Sequence, residues 1–185
     1  MKHKFILTVN FLTLFVIFFS ANSFSAKKEK QILNKQELNL PEFYPNDSIK
    51  TWNGFEMLDS TLNGVPFKVV FPKTPNKNRD WIWRARFWGH EPQTDIALLE
   101  RGFHLVYIEV GGLFGCEKAI KIWDDFYAFA TQKYQLNKKV VLEGMSRGGL
   151  IIFNWGNRNA EKVACIYGDA PVCDFKSWPG GFGVG

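Results

Sequence analysis

The sequence predicts an α/β fold, a mostly parallel β-sheet flanked by helices. Three observations carry that prediction. From residue 81 onward, strand-like runs alternate with helix-like runs. Phe103–Val110 is apolar almost throughout, as suits a parallel strand covered on both faces. Between Glu117 and Tyr134, residues Ala119, Ile120, Trp123, Phe126, Tyr127, Ala130 and Tyr134 recur at spacings of three and four, one face of a helix.

The elements follow in order. Met1–Lys4 is basic, Phe5–Phe19 is mostly apolar, and small residues follow through Ala26, the three-part layout of a secretory signal peptide over residues 1–26. Cleavage fits after Ser23, Ser25 or Ala26, and a retained anchor is the alternative. The apolar part, about 15 residues, is short for a membrane span. The expected location is therefore secreted or periplasmic, with no stable membrane span after removal of the signal. Residues 27–48 form a polar leader, and 49–185 form the domain. Within it, Trp52–Leu58 and Val65–Phe71 read as a hairpin across the Asn63-Gly64 turn. Trp81–Trp88 alternates: Trp81, Trp83, Ala85 and Phe87 share one face, and Ile82, Arg84, Arg86 and Trp88 the other. Gln93–Arg101 is a short helix with Thr94 as its cap. Lys139–Glu143 is a strand, Arg147–Asn157 a helix and Val163–Tyr167 the next strand.

Composition excludes several classes. The formal charge is +5, of which Lys2 and Lys4 leave with the signal, and the remaining basic residues are scattered. Nucleic-acid binding is not indicated. No clustering of His and Cys points to a metal, and no motif calls for a cofactor. Three cysteines, Cys116, Cys165 and Cys173, leave at least one unpaired within the chain, and Cys165 reads as a small core residue. Oligomeric state is not legible.

The chemistry-bearing stretch is Leu142-Glu143-Gly144-Met145-Ser146-Arg147-Gly148-Gly149-Leu150, a G-x-S-x-G between a strand and a helix. A serine on such a sharp turn stands exposed, and glycine at 144 and 148 leaves room for the turn. This makes Ser146 a candidate nucleophile; the competing role is a helix cap. On these residues, the chain resembles the α/β-hydrolase superfamily over roughly 52–176. Ser146-Arg147-Gly148-Gly149 resembles prolyl-oligopeptidase relatives and secreted esterases. The Trp/Arg-rich strand followed by Phe87-Trp88-Gly89-His90 resembles bacterial hydrolases acting on plant-polysaccharide esters.

The resemblance implies a serine hydrolase with Ser146 as nucleophile, acting on a small-molecule or carbohydrate ester. It implies an oxyanion hole from the N–H of Arg147 and that of Trp88 or Gly89. Asp169 is a candidate triad acid, with capping or loop hydrogen bonding as the competing role; Asp174 is a weaker candidate. His90 is a candidate substrate contact or loop stabiliser, against a plain surface role. Arg147, with Arg84 and Arg86 nearby, suggests recognition of a substrate carboxylate. Trp88, Trp155 and Trp178 are candidates for stacking on sugar, against core packing. Glu143 supports the elbow or makes a local salt bridge, His104 is a satisfied core residue, and Asp124 and Asp125 lie on a solvated face.

The family base comes late in the chain, whereas His3, His90 and His104 all precede Ser146. The 185 residues are therefore expected to be a C-terminally incomplete hydrolase, inactive as they stand, with the last strand left as an apolar edge. A peptidase of the same fold is the near alternative. A non-enzymatic, secreted carbohydrate-binding or interaction protein is the distant one, and completion by another chain a third.

Overall fold

The computed structural model describes residues 47–174, 176, 178, 180 and 181. The signal peptide and nearly all of the polar leader lie outside the described residues. Seven strands form one mixed sheet: β1 (Ser48–Trp52), β2 (Phe55–Leu62), β3 (Val65–Phe71), β4 (Trp81–Arg84), β5 (His104–Ile108), β6 (Val140–Met145) and β7 (Val163–Asp169). The helices are α1 (Gln93–Glu100), α2 (Glu117–Lys133) and α3 (Gly148–Arg158). Spatial order is β1-β2-β3-β5-β4-β6-β7. The β1-β2, β2-β3 and β3-β5 pairs are antiparallel, whereas β5-β4-β6-β7 run parallel.

The expected hairpin is a three-stranded meander. Asn53-Gly54, inside the expected strand Trp52–Leu58, is a turn like Asn63-Gly64. Both pairs adopt positive φ, 47° and 82° in the first and 51° and 78° in the second, as a tight two-residue hairpin loop requires. The strand expected over Trp81–Trp88 ends at Arg84. Thr94 does not cap α1; that position falls to Pro92, without a side-chain bond.

β4 sits mid-sheet and is buried along its whole length. Trp81 and Trp83 face α2 and α3. There Trp83 stacks on Trp123 at 4.0 Å between ring centroids and meets Trp155 edge-on at 5.4 Å. Trp155 is wholly buried and donates its Nε1–H to Asp124 at 2.9 Å. It is therefore a core residue rather than a sugar platform, and Asp124 works as its acceptor. Ile82 faces the opposite core with Phe55, Met57, Val70, Leu105 and Leu99 of α1.

Among the described residues β7 pairs only with β6, and it is exposed along nearly all of its length. This corrects the core reading of Cys165, since Cys116, Cys165 and Cys173 are free, exposed thiols. No helix among the described residues is long and apolar enough to cross a membrane.

His104 opens β5 and is fully buried, as expected of a core residue; neither ring nitrogen makes a hydrogen bond of good geometry, and the Asp80 backbone beside it favours its proton only weakly. Burial, with the charge of Arg79 as a smaller cause, pushes its pKa down to about 4. An unfolded chain takes up a proton near the ordinary 6.5, while the fold refuses it until about 4. Stability is therefore lost as pH falls through that window. Urea midpoints of His104→Leu are expected to vary less than wild type between these pH values; an unchanged slope would count against this origin.

Candidate active site

The strand order locates the site before any side chain does. The chain leaves β4 toward β5 on one side and leaves β6 toward β7 on the other. Loops diverging from the carboxyl ends of neighbouring parallel strands open a crevice, where α/β sheets bind ligands. Here the crevice lies between the loop after Arg84 and the turn after Met145.

Only Ser146 and Arg147 separate β6 from α3. Ser146 adopts φ 48°, a left-handed conformation that costs an L residue about 1–2 kcal/mol. Its N–H donates to the Asp169 carbonyl at 2.9 Å. Its own carbonyl accepts from Gly149 N–H at 3.0 Å and Val172 N–H at 2.8 Å. These bonds hold the strained backbone while the residue stays half-exposed. Arg147 begins the helix, so its N–H has no intrahelical partner and lies at the positive end of the helix dipole.

The glycines divide differently from expectation. A Cβ on Gly144 would lie 2.5 Å from Ile152 Cδ1 and 2.9 Å from the Gly148 carbonyl, so that glycine is sterically required. On Gly148 it would lie 3.5 Å from the Cβ atoms of Ala85 and Arg86, an ordinary contact. The crowded position is Gly149, where a Cβ would strike the Val172 carbonyl and come within 2.8 Å of Pro171.

Trp88 and Gly89 turn toward Trp52. The Trp88 ring lies 5.2 Å from that of Trp52 and 5.5 Å from that of Tyr107, and Gly89 faces Trp52 Nε1. Because β4 stops at Arg84, the loop begins earlier, and the residues against the elbow are Ala85 and Arg86. The Ala85 N–H is taken by the Glu143 carbonyl at 2.9 Å. The Arg86 nitrogen lies 3.8 Å from where a Cβ on Gly148 would stand. A small cleft at the start of α3 is lined by Ala85, Arg86, Gly111, Phe114, Arg147 and Gly148, among others. A larger cavity, about 260 Å³, lies by Phe55, Lys73 and Leu99, away from the elbow.

The three arginines have separate fates. Arg84 is buried and pairs with Asp95 and Glu143, which removes it as a substrate contact. Arg86 donates to the Gly111 carbonyl, and its Nε is buried without a partner. The Arg147 guanidinium lies 5.6 Å from the Phe87 ring and 4.9 Å from that of Trp178, a cation–π arrangement. Phe114 meets the same Trp178 at 5.6 Å.

Asp169 ends β7 opposite Met145, and its exposed side chain adds negative charge near Glu143. His90 is exposed, and its backbone is fixed by its N–H to the Phe87 carbonyl at 3.0 Å. His104 lies at the opposite end of the parallel strands. Neither imidazole hydrogen-bonds Ser146. No group of three His, Cys, Asp or Glu side chains among the described residues is arranged to hold a metal.

Glu143 stands three residues before Ser146. Burial, then a hydrogen bond to Asp95 and the charge of Asp95, push its pKa up to about 8; Arg84 opposes the rise and Asp169 adds to it. Asp95 Oδ1 and Glu143 Oε2 are otherwise buried without a donor, and a proton on Glu143 supplies one. The unfolded chain releases this proton near the ordinary 4.5, so its stabilisation is lost as pH rises from there to about 8. Glu143→Gln is expected to flatten the fall of Tm across that range. A Tm that still falls as steeply in the variant would assign the slope elsewhere.

No protein-family model and no curated protein matches the sequence. Among solved structures, the chain is similar to a novel cold-adapted esterase from an Arctic intertidal metagenomic library, in its PEG-bound complex. The TM-score is 0.52 at 11% identity, covering 69% of this chain and 64% of that one. The zinc-bound structure of that esterase gives 0.51 at 12% identity, covering 69% and 63%. Its native structure gives 0.50 at 15%, covering 65% and 61%. At such identities the likeness is one of fold. The chain spans less than two thirds of the length of these esterases.

Proposed function

We propose that this chain, whose fold is that of the α/β-hydrolases, carries the nucleophile and oxyanion half of a serine esterase. The observation that carries the proposal is Ser146, held at φ 48° between β6 and α3, at the mouth of the crevice beside β4. Ser146 Oγ attacks the ester carbonyl. Its proton passes to a histidine supplied from outside the described residues, and Asp169, whose carbonyl accepts from the Ser146 N–H, is the candidate to orient that base. The N–H groups of Arg147 and Arg86 stabilise the oxyanion, and Arg86 replaces Trp88 and Gly89 as the second donor. Water then releases the acyl group. Phe114, exposed beside Trp178 and the Arg147 guanidinium, offers an aromatic contact for a sugar ring, which supports acyl groups on polysaccharides as substrates. Export is part of the same proposal and rests on residues 1–26.

With a histidine base supplied, Ser146 is expected to be labelled by a fluorophosphonate. Ser146→Ala should abolish the label and lower hydrolysis of p-nitrophenyl acetate by about a thousandfold or more. Residues 1–185 alone are expected to turn over negligibly. Sugar binding that is indifferent to Ser146→Ala, with no label on Ser146, would replace the esterase by a binding protein.

A further inference from the structure

Arg84 is the last residue of β4 and is 1% exposed. On one side its guanidinium meets Asp95 of α1 and Glu143 of β6, the latter at 3.2 Å. On the other, its Nε–H donates to the carbonyls of Arg86 and Phe87, each at 3.2 Å, and an Nη2–H donates to the carbonyl of His90. Three carbonyls of one short loop converge on a single buried cation.

The loop has little reason to hold this shape unaided. Phe87, Gly89 and Glu91 adopt φ of 53°, 76° and 45°. Glycine tolerates that region freely, but phenylalanine and glutamate hold it only when the surroundings impose it. Charge-assisted bonds from a fixed guanidinium are such an imposition. They also set the direction of the peptide groups. In a trans peptide the N–H points opposite the C=O. With the carbonyls of Arg86 and Phe87 turned in toward Arg84, the N–H groups of Phe87 and Trp88 turn away from it.

We propose that Arg84 is a positioning residue for the loop Ala85–His90, fixing its backbone from beneath while Asp95 and Glu143 orient the guanidinium. Glu143 belongs to the strand that delivers Ser146, so one ion cluster braces both walls of the crevice. Lysine cannot substitute, because a point-charge ammonium lacks the planar fork that reaches several acceptors at once. The loop's use in ester hydrolysis rests on the esterase reading; its dependence on Arg84 does not.

Hydrogen–deuterium exchange on the full chain, read by mass spectrometry at a single pH, separates the two. Arg84→Lys is expected to speed exchange of amides 85–91 by about tenfold or more while α2 and α3 keep their protection. Unchanged exchange at 85–91 in a folded Arg84→Lys overturns the proposal. Should Arg84→Lys fail to fold, Asp95→Asn loosens the guanidinium's anchor without touching the loop and carries the same two outcomes. Fluorophosphonate labelling of Ser146, with a histidine base supplied, is run in parallel. Faster loop exchange with weakened labelling supports both readings. Faster loop exchange with no label even in wild type retains the positioning role and removes the esterase.

Discussion

Arg84→Met is expected to lower unfolding stability by about 3–5 kcal/mol, because it strips the cation from a buried ion cluster. Asp95 is fully buried and Glu143 nearly so, and both lie against the Arg84 guanidinium. Methionine fills part of the space but leaves Asp95 without its cationic partner and takes the donors from the loop carbonyls. Urea unfolding followed by tryptophan fluorescence reads the loss, since Trp81, Trp83, Trp123 and Trp155 all lie in the core. Removing the charge on both sides is less costly than removing it on one. Arg84→Met combined with Asp95→Leu is therefore expected to recover part of the deficit, a coupling that a double-mutant cycle measures. A fully additive pair would show that the cluster does not act as a unit.

The second large effect separates two adjacent glycines. Gly149→Ala is expected to destabilise by about 1–3 kcal/mol, the usual cost of overpacking. The new methyl meets backbone at Val172, which cannot swing aside as a side chain would. Moving that segment also breaks the Val172 N–H to Ser146 carbonyl bond, so the elbow loosens with the helix. Gly148→Ala is expected to be neutral or to stabilise by up to about 1 kcal/mol, since its Cβ finds ordinary contacts and alanine is the better helix former. If both variants lose the same stability, the steric distinction is wrong.

Local signals made much of this fold legible. Val65–Phe71 has the same bounds in sequence and structure, because one turn and one apolar run define it. Ser146 was legible for a related reason: strand, G-x-S-x-G and helix are contiguous. The features that local signals do not carry depend on contacts distant in sequence. Asp95 looks like an ordinary polar residue of a short helix until the topology sets it on Arg84. Gly148 satisfies the motif, but the segment that crowds the helix comes from residues 171 and 172 and crowds Gly149. The alternation of Trp81–Trp88 outlasts its strand because periodicity cannot register a side chain drawing carbonyls inward after Arg84. Asn53-Gly54 is a different case: it carries the same turn signal as Asn63-Gly64, and the strand expected across it breaks there into two.

The central place of β4 bears on how the molecule assembles. The meander from β1 to β3 closes through two-residue turns, so it needs no distant partner to begin forming. β6, α3 and β7 likewise follow one another closely along the chain. The two groups meet in the sheet through β4, which pairs with β5 on one side and with β6 on the other. The β4–β6 pairing spans the intervening α1, β5 and α2, and a closure over so much chain is slow relative to local pairing. Docking of the Trp81-Ile82-Trp83-Arg84 strand is thus the step expected to gate the folding rate, and the crevice comes into being only when it is complete.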